Sequence, residues 1–325
     1  MNDFYQIVII KSFNDENSIE RCIKSVLAQD NFHKLRVYVI DDCSVDNTKF
    51  IIKKYKKFFY KIEIRKKNLG ANHNVHDYNN ILKDYENGYI VILSGDDYMP
   101  FSRTKEHERV FINYDVGLHF GIGYSKNLNN EVINKFPNKK LIKDSLINND
   151  LKIYQQLIDH NFIPSFASAY SIKYLKKING FQNYPENNIS IDLSTIFFLS
   201  DISNFYFSNS VMGYWIISPK QQSTLYRNKQ IELDAKFLDY FIEKVFIEKK
   251  INFKNYKKLK SKVIKFKNYK YFYNLKIYLD KGDYINSLLL FFKVIMKKNY
   301  FKIKLISFFL ILLNFLGLKN YIPKS

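Results

Sequence analysis

The chain has 325 residues, enough for one large α/β domain and an appendage, and its 10 Gly and 6 Pro argue against long flexible linkers. A formal net charge of +20 implies an anionic partner: nucleic acid, a membrane surface or a phosphorylated substrate. Cys22 and Cys43 offer neither a disulfide framework nor metal-ligand spacing, and no signal-type leader precedes the first strand, which together predict a reduced, cytosolic setting.

Gln6–Ser12 is an apolar run suited to a buried first strand, and Phe13-Asn14-Asp15-Glu16 makes a polar turn after it. Asn17 and Glu20 have the spacing of a capping box, and Ile19, Cys22, Ile23, Val26 and Leu27 form the apolar stripe of the following helix. Leu35–Ile40 reads as the second strand, ending at Asp41-Asp42-Cys43-Ser44. Asp46-Asn47-Thr48 opens a second helix, and Ile62–Ile64 is a short third strand before Lys66-Lys67-Asn68-Leu69-Gly70. A third helix is predicted over about Asn72–Tyr85.

The next strand organises the chain. Ile90–Leu93 is wholly aliphatic, as in a strand buried on both faces, and runs into Ser94-Gly95-Asp96-Asp97 with Pro100 closing the turn. Three strand–helix alternations before Asp96 predict a parallel, right-handed βαβ sheet. Carboxylates at the C-terminal edge of such a sheet sit where open α/β folds bind ligands. Adjacent carboxylates repel unless a cation or hydrogen-bond donors offset them, and Mg²⁺ or Mn²⁺ bearing substrate phosphates is the simplest partner. Taken alone, an Asp-Asp pair is more often a polar turn. No Gly-x-Gly-x-x-Gly follows the first strand and no Gly-Lys-Ser/Thr occurs, so phosphate has to be held by metal and side chains.

The ordered set Ile9–Glu16, Cys22–Gln29, Val39–Thr48, Asn68-Leu69-Gly70 and Gly95-Asp96-Asp97 resembles the opening of a family 2 glycosyltransferase, over roughly the first hundred residues. The resemblance implies an α/β GT-A fold, with a Rossmann-like, mostly parallel central sheet, over residues 1–228. It further implies a nucleotide-diphosphate sugar donor, a divalent metal (Mn²⁺ or Mg²⁺) and inversion at the anomeric centre. Carried over by position, Phe13 packs near the base, and Asp15 or Glu16 approaches the ribose or base. Asp42 accepts a hydrogen bond from the base, with Asp41 beside it. Asn68 and Gly70 shape the loop beneath the donor, Asp96 contacts the donor sugar or ribose, and Asp97 ligates the metal.

Arg103–Tyr114 reads as a helix, and Val116–Tyr124 with Glu131–Phe136 as a hairpin. Asn161–Ser165 and Ile178–Phe181 resemble the family's approach to the acceptor site. Asp192, which opens an apolar helix, is the candidate general base, although Ile191 stands where relatives carry an acid; a helix-capping Asp is the competing reading. Trp215 and Ser218 stand where relatives carry Arg and His, so Lys220 or Arg227 would have to serve instead.

Residues 229–325 form a basic, aromatic-rich helical region with a predicted hairpin, Tyr271–Leu279 and Tyr284–Met296, around Lys281-Gly282-Asp283. Leu305–Leu318 is nearly all apolar, but a helix of that length spans roughly 21 Å, short of the ~30 Å hydrocarbon core. Basic, aromatic and apolar residues together predict a surface that docks on anionic lipid. The expected setting is therefore peripheral, on the cytoplasmic face of the cell membrane, with a glycan or lipid-linked acceptor; that this belongs to bacterial surface polysaccharide synthesis is what the resemblance to family 2 glycosyltransferases implies. The alternatives are a catalytically inactive sugar-nucleotide binder and a basic nucleic-acid-binding protein. No nucleic-acid partner is expected, because carboxylates line the predicted cleft and no DNA- or RNA-binding motif occurs.

Overall fold

The computed structural model describes residues 3–137, 143–149, 153–159, 161–185, 188, 190–218, 227–280 and 282–295. The apolar segment at 305–318 and Lys220 lie outside these, as does the side chain of Arg227. The chain divides into two compact units, Met1–Gln221 and Gln222–Ser325.

In the first unit β1 (Tyr5–Ser12), α1 (Ile19–Leu27), β2 (Leu35–Asp41), α2 (Thr48–Lys54), β3 (Lys61–Ile64), α3 (Asn74–Leu82) and β4 (Gly88–Ser94) alternate as the apolar runs predict. They form the parallel order β3-β2-β1-β4. Val8 and Ile10 of β1, Val37 and Val39 of β2, and Tyr89, Val91 and Leu93 of β4 share one core with Ile19, Cys22, Ile23 and Val26 of α1 and Ile52 of α2. Ile7, Ile9 and Ile90, which point the other way, are buried as well. β1, β2 and β4 are therefore covered on both faces, which is why their centres read as apolar runs, whereas β3 at the edge alternates exposed and half-buried residues.

The capping box at the start of α1 does not form. Asp15 O accepts the amides of Ser18 and Ile19 at 2.9 and 2.8 Å, while Glu20 accepts from the Tyr55 hydroxyl at 2.6 Å and pairs with Lys24 at 3.2 Å. The Asp15 carbonyl does the capping, which frees Glu20 to tie α1 to α2.

After α4 (Arg103–Asn113), β5 (Val116–Lys126) and β6 (Val132–Phe136) make the predicted antiparallel hairpin. β7 (Ser145–Ile147), α5 (Ile153–Asp159), β8 (Ser168–Ser171), α6 (Ile172–Lys177), α7 (Ile191–Ile202) and β9 (Asn204–Ile216) complete the unit. The sheet continues from β4 through β8, β5 and β9 to β7, with β8 antiparallel to both neighbours and β9 parallel to β5.

The second unit is helical: α8 (Arg227–Ile247), α9 (Phe253–Asp280) and α10 (Tyr284–Ile295). The predicted helix at 271–279 is only the last third of α9, whose lysine-rich first half has too few apolar positions to announce itself. Ile231, Tyr271, Leu275, Leu279, Leu290 and Phe291 form one buried cluster of this unit, and Phe237, Phe241, Val245, Leu259 and Val263 are buried as well. Gly282, at φ +73°, donates its amide to Leu279 O, and Asp283 caps α10 by accepting the amide of Asn286 at 3.2 Å.

Candidate active site

The loops leaving β1, β2 and β4 meet because their last residues are in register: Ser12 lies beside Asp41, and Lys11 beside Ser94. The turn after β1 is laced to the turn after β2. Asn14 donates its amide to Ser44 Oγ (2.9 Å), Asp15 to Thr48 Oγ1 (2.8 Å) and Glu16 to Asp46 Oδ2 (3.1 Å), while Glu16 accepts from the Asn47 amide at 3.1 Å. The Glu16 carboxylate is thus engaged in bracing this loop. Phe13 projects beside it, 45% exposed.

The two aspartates after β2 do different work. Asp41 is fully buried and holds the turn, accepting Ser12 Oγ at 3.2 Å and the Ser44 amide and hydroxyl at 2.9 and 2.5 Å. Asp42 reaches the loop after β3, accepting the amides of Leu69 (3.0 Å) and Gly70 (2.9 Å) and Arg65 Nη1 (3.0 Å). Burial alone would raise its pKa; these donors outweigh burial and lower it. Gly70 turns at φ +77°, and Asn68 is exposed two residues before it.

Around β4 the charges are less balanced. Asp97 is buried, and its Oδ1 accepts the Ile216 amide of β9 at 2.9 Å. Burial, then the neighbouring Asp96 carboxylate, holds its pKa well above the ordinary value. Asp15 is raised to about 7 by burial and then by Asp96. Gly95 permits this crowding: a Cβ there would meet the Asp15 carboxylate, so any larger residue would require that side chain to move. Asp96 O accepts Arg21 Nη2 at 2.9 Å. Tyr98 exchanges backbone hydrogen bonds with Tyr214 (3.3 and 3.0 Å), so β9 is stitched directly to the Asp96-Asp97 turn.

Asp192 lies half-buried in the first turn of α7, where its charge is felt by the buried hydroxyls of Tyr78 and Tyr170. Ser190, not Asp192, occupies the cap position of that helix. Trp215 packs on Phe166, with ring centroids 6.0 Å apart.

Residues 7–178 match the model of glycosyl transferase family 2, more than half of the chain. The chain belongs to glycosyl transferase family 2. Its fold is similar to that of S. aureus TarS residues 1–349 bound to UDP-GlcNAc, with a TM-score of 0.58 and 16% identity over 80% of this chain and 72% of that one. The same TarS region bound to UDP gives 0.52 and 20% identity, over 72% of this chain and 65% of that chain's length. At these identities the likeness is one of fold. No curated protein matches the chain.

The family's divalent ion is testable against this donor set. Among the described residues no three His, Cys, Asp or Glu side chains come together to hold a metal alone. Mg²⁺ and Mn²⁺, however, are commonly bound through one or two carboxylates plus substrate phosphate and water. A buried Asp97 whose charge is disfavoured by burial and by Asp96 fits that arrangement.

Two networks of polar side chains near the site were hidden from the sequence. Arg65 pairs with Asp42 at 3.0 Å and also with Asp77, which in turn binds Lys11 Nζ at 2.6 Å, all of them buried. Arg103, fully buried, donates to Phe166 O and Ser168 O (both 2.9 Å) and to His107 Nε2 (3.2 Å). His107 Nδ1 meets His119 Nδ1 at 2.9 Å, and His119 Nε2 meets Ser208 Oγ at 2.9 Å. Burial pushes both histidines down, His119 to about 3, so both rings are neutral. The only available signal was a charged residue inside a helix, which usually marks a solvated face.

Proposed function

We propose that this glycosyltransferase moves a sugar, with inversion, from a nucleotide-diphosphate donor to a hydroxyl of a glycan or lipid-linked acceptor. The setting proposed is bacterial surface polysaccharide synthesis at the inner face of the cell membrane. The observation that carries the reading is the concentration of Asp15, Asp96 and Asp97 at the C-terminal edge of β1 and β4, where burial and mutual repulsion favour a cationic partner. The UDP and UDP-GlcNAc bound by TarS support a nucleotide-sugar donor.

In this reading Phe13 offers its exposed ring to the base, and Asp42 with the Asn68–Gly70 loop forms the wall beneath it. Because Asp42 already accepts three hydrogen bonds, its contact with a base uses the remaining acceptor capacity of its carboxylate. Asp96 meets the sugar or ribose. A divalent ion held by Asp97 would neutralise the charge that builds on the departing diphosphate. Asp192 takes the proton from the acceptor hydroxyl as its oxygen attacks the anomeric carbon and the bond to the diphosphate oxygen breaks on the opposite side. One displacement inverts the centre. The lysine-rich second unit keeps the enzyme at the anionic leaflet.

The test is a screen of nucleotide sugars, uridine-linked ones first, with Mn²⁺ or Mg²⁺, for donor hydrolysis and thermal stabilisation. Metal-dependent hydrolysis supports the reading. Donor binding without turnover would favour an inactive binder, the alternative that Ile191, Trp215 and Ser218 keep in play. Salt-sensitive retention on nucleic acid with no effect of any donor would overturn both.

A further inference from the structure

α10 is apolar on more of its circumference than the fold uses. Leu290 and Phe291 are buried in the core of the second unit, and Ser287 is buried with them. Ile285, Leu288, Leu289 and Phe292 are 76%, 47%, 58% and 53% exposed. Spaced i, i+3, i+4 and i+7, they fall within about 100° of arc, on the side of the helix away from that core. A helix apolar all round belongs in a protein interior or against lipid.

The lysines decide between those two. Residues 253–295 contain eleven lysines and only two acids, Asp280 and Asp283. Lys260 and Lys267 are consumed inside the unit, against Asp239 and Glu243 and against Glu232 of α8. Lys254, Lys257, Lys258, Lys265 and Lys270 are exposed along α9, with Phe253, Tyr269 and Tyr273 exposed among them. Protein interfaces are depleted of lysine, whereas a surface that settles on anionic lipid needs an apolar face, flanking lysines and interfacial aromatics. At 12 residues α10 is roughly 18 Å long, so it lies in the plane of the interface and does not span it.

We infer that Ile285, Leu288, Leu289 and Phe292 of α10 are the face that enters an anionic bilayer; the inference rests on the membrane association proposed above and assigns it to an element. The apolar helix inserts among the acyl chains near the headgroups while the α9 lysines meet lipid phosphate.

Full-length wild type, Leu289→Glu/Phe292→Glu and the neutral Leu289→Gln/Phe292→Gln are compared by co-sedimentation with phosphatidylcholine vesicles containing about a third phosphatidylglycerol. Circular dichroism and size-exclusion chromatography are run on each. Both variants alter only exposed positions, so wild-type helicity is expected. Wild type is expected to bind, and both variants to bind at least about tenfold more weakly, with donor hydrolysis unchanged. Variants that bind as wild type does overturn the role of α10 and leave the membrane reading standing. A wild type that does not bind at all overturns both. Conversion from dimer to monomer in the variants, with vesicle binding unaltered, overturns the inference in favour of a second copy of this chain on that face.

Discussion

Asp15 carries a charge cost that pH can expose. Its pKa is raised to about 7 from an ordinary 3.8, so between those values the folded protein binds a proton that the unfolded chain does not. Stability from this group is complete below about pH 3.8 and is lost as pH rises through about 7. His107 and His119 act in the opposite direction, since their depressed pKa values destabilise the fold as pH falls below their ordinary 6.5. The diagnostic quantity is therefore a difference: thermal melts should show Asp15→Asn gaining on wild type as pH rises from 5 to 8, by an amount on the order of a few kcal/mol. Arg65 gives a second prediction. Its side chain is 7% exposed between Asp42 and Asp77, at 9% and 5%. Arg65→Ala leaves two buried carboxylates short of their cation and should cost about 3–5 kcal/mol in denaturant unfolding. Neither Arg65 nor Asp77 stood out in the sequence, because their partners are 12 to 66 positions away and follow no motif. Asp41 and Asp42 did stand out. Their division of labour did not: one carboxylate folds its own turn while the other holds a loop across the sheet, and only the direction of two adjacent side chains separates them.

At the scale of elements, β1, β2 and β4 were legible because burial on both faces writes them as apolar runs, β3 only as a short alternating one, and β4 led directly to Asp97. The reach of β9 was not, since its pairing with β5 joins segments about ninety residues apart through backbone groups that every residue has. α4 was legible as a helix but not for what it buries, because Arg103, Thr104 and His107 resemble the residues of a solvated face. Two predictions belong here. Asp97→Ala at the end of β4 should leave the fold intact while removing both transfer and the response of donor affinity to Mn²⁺, measured by calorimetry with and without the ion. Asp192→Asn in the first turn of α7 should keep donor affinity and lower transfer by roughly 10²–10⁴-fold. Retained transfer would move the base to another acid, such as Asp201.

For the whole molecule, charge is distributed by unit. The first unit gathers Asp15, Asp96 and Asp97 at one sheet edge, while the second carries exposed lysines along α9. Among the described residues no helix is long and apolar enough to cross a membrane. The proposed attachment to anionic lipid through lysines should fade with salt, because each contributes about 1 kcal/mol only within a Debye length of roughly 8 Å at physiological ionic strength. A chain ending after Lys304 should hydrolyse donor like the full-length protein, and a vesicle co-sedimentation series in rising salt reports what the removed residues add. Read from sequence, the boundary falls between residues 228 and 229, and the two compact units divide after Gln221. α8 carries the acids that pair with the lysines of α9, which ties it to the second unit.

The hydrogen bond from the Ile216 amide to Asp97 spans 119 positions along the chain. A nascent polypeptide that has emerged as far as residue 178, where the family match ends, already contains every motif of the nucleotide half. It still lacks the strand that aims Asp97. Pairing so distant in sequence forms slowly, so β1 and β4 can bring Asp15 and Asp96 together first, while Asp97 gains its backbone donor only once β9 has been made and docked. In the proposed reaction, the metal-holding role of Asp97 is thereby delayed until β9 is in place.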